Sequence, residues 1–138
     1  MKLSIRVETS GPLFRRNATK VLTREIKAGI QEMVEEAEDF INQRAQPRPA
    51  GEYKSRADGG TSTGNYRRNI STVVKDLVGI VHDGGVVYGP WLEGVSGRNQ
   101  TTRFKGYGIF KQARELINKR FKRVMEKRLA KATRRLGG

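Results

Sequence analysis

Apolar and polar residues alternate over residues 2–8. Leu3, Ile5 and Val7 fall on one side, and Lys2, Ser4, Arg6 and Glu8 on the other. A period of two predicts a half-buried strand. Gly11-Pro12 ends it, and Leu13-Phe14 follow as a short apolar anchor. The period then changes. Val21, Leu22, Ile26, Ile30, Met33, Val34, Ala37, Phe40 and Ile41 recur at steps mainly of three and four, which predicts a helix over residues 17–44 with Asn17 or Thr19 as its N-cap. Glu32, Glu35, Glu36, Glu38 and Asp39 crowd its second half, where the helix dipole disfavours acid. Basic residues elsewhere in the fold or in a neighbouring subunit are expected against them.

Residues 45–65 have two prolines, four glycines and almost no apolar side chains, so a long flexible loop is expected. A β-meander over residues 66–88 should follow. Ile70, Val73 and Val74 mark one strand, 77–82 a second, Asp83-Gly84-Gly85 a turn, and Val86-Val87-Tyr88 a continuation of the sheet. Pro90 suits the start of a short helix and Gly94 its end. Residues 96–103 read as a polar loop. The last helix, about 106–136, has the apolar stripe Ile109, Phe110, Ala113, Leu116, Ile117, Phe121, Val124, Met125, Leu129, Ala132 and Leu136. The whole is one α+β domain over residues 1–138: a small antiparallel sheet of three or four strands packed against two long helices.

Composition narrows this picture. Leu, Ile, Val and Phe make up 32 of 138 residues, 23%, just above the roughly 20% below which a highly charged chain stays unfolded. The core is therefore thin, and surface buried against other subunits would help to stabilise it. The absence of cysteine excludes disulfides, thiol catalysis and cysteine-ligated zinc. No apolar run approaches the roughly 18–20 residues of a membrane span, and the first residues lack the apolar stretch of a signal peptide, so a chain acting in a cytoplasm without a membrane is expected. Charge is distributed unevenly. Residues 1–97 carry 14 basic and 12 acidic residues; residues 98–138 carry 14 basic residues and only Glu115 and Glu126. A net +12 in the last 41 residues points to an anionic partner or to a solvated helix face. Lys119, Lys122, Arg123, Lys127, Arg134 and Arg135 are the candidate contacts to DNA or another anionic surface.

Catalytic chemistry has little to work with. His82 is the sole histidine, with no second histidine or cysteine to share a metal, and Asp76 and Asp83 beside it read as turn acids. Ser55, Ser62, Ser71 and Ser96 sit in no recognisable nucleophile elbow. The glycine-rich run 58–64 lacks the Gly-Lys-Ser/Thr ending of a phosphate loop. No catalytic residue, metal or cofactor is therefore assigned. Aromatics are too sparse in the basic helix for base stacking, and no helix-turn-helix or zinc-finger spacing occurs.

Two stretches resemble a known family. Thr63-Gly64-Asn65-Tyr66-Arg67-Arg68-Asn69-Ile70 is similar to a Thr-Gly-x-Leu/Tyr-Arg-x-Ser-Ile segment, and Val87-Tyr88-Gly89-Pro90-Trp91-Leu92-Glu93-Gly94-Val95-Ser96 to a Tyr-Ala-x-x-x-Glu-x-Gly-Thr segment. Both occur, in this order of elements, in the tail-completion or head–tail connector (neck) proteins of long-tailed bacteriophages. Gly11-Pro12-Leu13-Phe14 also resembles members from phages of actinobacteria. The chain departs from the pattern at Val95-Ser96, where Thr would follow the glycine, and at Thr102-Arg103-Phe104, where a Pro-Phe-Leu-Arg-Pro run would stand. The resemblance implies a non-enzymatic virion protein, assembled in the host cytoplasm. It would form a homo-oligomeric ring around the DNA channel and meet adjacent neck, tail-terminator or tail-tube proteins, with genomic DNA as a possible further contact. Tyr53, Tyr66, Arg67, Tyr88, Trp91 and Glu93 are then the candidate subunit or partner contacts, although a lone tryptophan in a Gly-Pro-Trp turn such as Trp91 is most often core and otherwise a subunit contact. The alternative reading is a free-standing, sequence-independent nucleic-acid-binding protein acting through the basic helix.

Overall fold

A computed structural model describes residues 1–9, 17–45, 65–103 and 105–137. The chain order is β1 (Lys2–Arg6), α1 (Asn17–Arg44), α2 (Asn65–Arg68), β2 (Ser71–Lys75), β3 (Val78–His82), α3 (Gly89–Glu93), α4 (Gly97–Thr101) and α5 (Ile109–Gly137). The Leu13-Phe14 anchor, most of the expected 45–65 loop with Tyr53, and the side chain of Tyr66 lie outside the described residues.

The strands form one antiparallel sheet in the order β1-β3-β2, so β3 is central. Asp76 and Leu77 alone connect β2 to β3, with Asp76 in the left-handed region at φ 54°. A short polar side chain tolerates that conformation. Alternation places Leu3, Ile5, Gly79 and Val81 on the buried face, as the period of two requires. Gly79 has a packing reason: a Cβ there would collide with Val34 and Ile30 of α1. The missing side chain lets the helix lie directly on the central strand.

α1 and α5 pair antiparallel along their lengths. Gly29 faces Met125 and Arg128, Arg44 Nε donates to Gln112 Oε1 at 3.1 Å, and Glu25 meets Arg135. Each helix is about 42–44 Å long at about 1.5 Å per residue. The core joins Leu3, Ile5 and Val81 of the sheet to Ile30, Met33, Val34 and Ala37 of α1 and Ile109, Phe110, Ala113 and Ile117 of α5. The α+β architecture with two long helices is as the patterning predicts.

Four expectations need correction. Val86-Val87-Tyr88 does not extend the sheet. The ladder ends at His82, paired with Lys2 on one side and Ser71 on the other, and the chain turns away just beyond it. Asp83 is fully buried instead. Its backbone N–H donates to Met1 O, its Oδ1 lies 2.8 Å from the Met1 amine, and Gly84 and Gly85 at φ 71° and 73° turn the chain away. Tyr66 belongs to the short helix α2 and not to the meander. Residues 97–101 are helical where a polar loop was expected. The apolar stripe of α5 is also narrower than predicted: Phe121, Leu129 and Leu136 are exposed. A helix covered chiefly by one neighbour buries only the positions facing it, and those flanking the line of contact stay open.

Candidate functional site

The segment carrying the second motif folds into a braced turn. Pro90 opens α3 and Gly94 closes it at φ 97°, with the N–H groups of Gly94 and Val95 donating to Pro90 O at 3.0 and 2.9 Å. Gly94 then meets Gly106, itself at φ 90°, backbone against backbone. A Cβ on either would strike the other strand of the crossing. The crossing is held by Tyr107 N donating to Leu92 O at 2.7 Å and Gly108 N to Glu93 O at 3.2 Å.

This brings Glu93 beneath the start of α5. Its carboxylate is buried and accepts two backbone N–H bonds, from Phe110 to Oε2 at 2.9 Å and from Lys111 to Oε1 at 2.8 Å. The first turn of a helix leaves such N–H groups without partners, and its positive dipole end favours a carboxylate. Glu93 thus acts as an N-cap supplied from 17 residues upstream. As a residue for contacts with another subunit it is corrected: its functional atoms are spent inside the chain.

Asn99 braces the other side. Its Oδ1 accepts from Ser96 N at 3.0 Å, and its Nδ2 donates to Trp91 O at 3.1 Å. Lys105 Nζ donates to Asn99 O at 2.8 Å and to Gln100 O at 3.2 Å. Asn99, Lys105 and Gly106 were not singled out from the sequence. The paired glycines around a polar segment were the available signal. Trp91 is half-buried, with the Arg98 guanidinium 5.1 Å above its ring. Tyr88 is 39% exposed, Val95 64% and Val87 96%. Tyr88, Trp91 and these two valines therefore present apolar surface around one turn, whereas Arg67 stands exposed on α2, away in sequence.

The cations of α5 divide into two sets. Arg128 lies 2.8 Å from Glu32 and 3.6 Å from Glu25; Arg135 lies 3.3 Å from Glu25; Arg120 lies 3.0 Å from Glu36. Part of the acidic cluster of α1 is thereby answered within the same chain. Arg135, expected to face an outside anion, is 48% exposed and also reaches Glu25. Lys119, Lys122, Arg123, Lys127 and Arg134 are exposed. Lys122 has only a long 3.9 Å contact to Glu126.

His82 ends β3, half-buried, its Nδ1 accepting from Gly84 N at 3.0 Å. Among the described residues no group of three or more His, Asp or Glu side chains is placed to hold a metal, and no helix is long and apolar enough to cross a membrane. Comparisons with protein-family models, with curated proteins and with solved structures found no match.

Proposed function

We propose that this chain is a structural virion protein of the neck or proximal tail of a long-tailed bacteriophage. It would be a subunit of a homo-oligomeric ring that joins or completes the head–tail connection. The observation that carries the reading is the turn at residues 87–96. The residues that bear the family resemblance there are the ones that build the α3 turn, the Gly94–Gly106 crossing and the Glu93 cap. The same turn presents Val87, Tyr88 and Val95 outward, and exposed apolar groups on a rigid support suit a subunit contact. Its partners would be further copies of itself and the adjacent neck, tail-terminator or tail-tube proteins, and its role non-catalytic.

The mass of the purified protein in solution tests this. Light scattering over a range of protein and salt concentrations should reveal a closed oligomer or a concentration-dependent one. A monomer at every concentration would overturn the ring; a monomer that shifts duplex DNA would in addition favour the free-standing nucleic-acid-binding reading.

A further inference from the structure

We infer that Lys119, Arg123, Lys127, Lys131 and Arg134 form a binding row for the phosphate backbone of duplex DNA, read without regard to sequence. The inference does not depend on the neck reading, since a ring subunit and a free-standing protein could both carry the row.

The five cations recur at steps of four, four, four and three residues along α5, and all are exposed. The row spans about 22 Å at about 1.5 Å per residue. The acids of α1 that answer α5 are met by Arg120, Arg128 and Arg135; among the described residues, none of the five row cations is in an ion pair. Folding therefore leaves this charge uncompensated, along a helix fixed at both ends by Glu93 and by the Glu25 pairs. The side chains can exchange water and counterions for phosphates without giving up any internal contact.

The form of the row selects the occupant. One unpaired cation about every 6 Å along a straight helix suits a polyanion of high and even charge density, and a duplex carries a negative charge about every 1.7 Å of its axis. An acidic protein surface would need carboxylates spaced to match. Single strands are bound through aromatic stacking platforms, and Phe121 is the only aromatic exposed on α5. A helix lying on a membrane needs a continuous apolar face to insert, and here Ala113, Ile117, Val124 and Met125 of that face are buried within the chain.

The test is fluorescence anisotropy of short labelled duplexes of two unrelated sequences, titrated with the full chain between about 50 and 200 mM salt. With five phosphates contacted, log affinity should fall against log salt with a slope near −4.5, a loss of about 500-fold over that range, equally for both sequences. The variant K119Q/R123Q/K127Q/K131Q should keep its circular dichroism spectrum, since glutamine is a good helix former. Its slope should drop to about −1, a loss of about 4-fold over the same range. Should that variant not fold, K119Q/K127Q should lower the slope by about 2. An unchanged slope in a folded variant would overturn the inference. So would tighter binding to single strands, or capture by anionic phosphatidylserine vesicles with no binding to duplex. None of these outcomes alters the mass measurement that tests the ring, so the two readings fail separately.

Discussion

Replacing Glu93 with alanine removes the cap of the longest helix in the fold. The wild-type carboxylate accepts from two main-chain N–H groups, Phe110 at 2.9 Å and Lys111 at 2.8 Å, and it is 7% exposed. Hydrogen bonds to a charged group contribute about 1.5–3 kcal/mol each, and the helix dipole adds about 0.3–1 kcal/mol for an anion at this end. The two bonds share one desolvated carboxylate and are not fully additive, so the expected loss is about 3–4 kcal/mol. For a chain of 138 residues that is a fall in Tm of about 10–15 °C. E93Q keeps an acceptor for one N–H and turns an amide NH2 toward the other, so about 2 kcal/mol is expected. Urea unfolding reads the free energies, and amide hydrogen exchange reads the mechanism: Phe110 and Lys111 should lose protection ahead of the rest of α5. If E93A loses less than about 1 kcal/mol and both amides stay protected, the carboxylate is not the cap it is argued to be.

Two further substitutions separate the other structural claims. G94A places a Cβ at φ 97° against the Lys105 carbonyl and should lose at least about 2 kcal/mol in urea, whereas G97A, whose Cβ meets open space, should move by less than about 0.5 kcal/mol; equal effects would refute the crossing as the cause. R128M should lose about 3 kcal/mol because it leaves the buried Glu25 with Arg135 alone, but E25Q only about 1 kcal/mol because Arg128 keeps Glu32 at 2.8 Å; denaturation that ranks them in reverse would refute the inner ion-pair set.

The long elements were legible because their periods are strong. Leu3, Ile5 and the stripe of α1 face inward as the spacing requires, and Pro90 and Gly94 bound α3 where they were expected. What was not legible depends on partners distant in sequence. The chain leaves the sheet after Asp83, which Met1 holds through its backbone carbonyl and its amine, and Val86-Val87-Tyr88 contain nothing that records it. The exposure of Phe121, Leu129 and Leu136 depends on how many neighbours α5 has, whereas helical spacing reports only that they lie near its apolar side. The role of Glu93 was half visible: its place at the end of a short turn could be read, but not the helix it caps. The acid-rich half of α1 demanded cations without saying whether this chain or another supplies them.

That last point bears on how the basic helix can serve both folding and an outside partner. Glu25 is 3% exposed, and an uncompensated carboxylate there would be strongly destabilising; Arg128 and Arg135 supply the compensating charge. Their guanidiniums, with Arg120 on Glu36, sit along the line of contact between α1 and α5. The exposed cations Lys119, Arg123, Lys127 and Lys131 lie off that line and do not contribute to holding the helices together. Exposed like charges on one helix repel weakly and are screened by salt, so leaving them unpaired is a small burden on the fold. The same charges keep their full interaction for a polyanion that approaches from outside. An even scatter of acids over α5 would have neutralised that surface; the chain instead concentrates its acids on α1, where the inward ones pair with arginines. Stability and the proposed anion binding therefore draw on different residues of one helix, so that each should be alterable without the other.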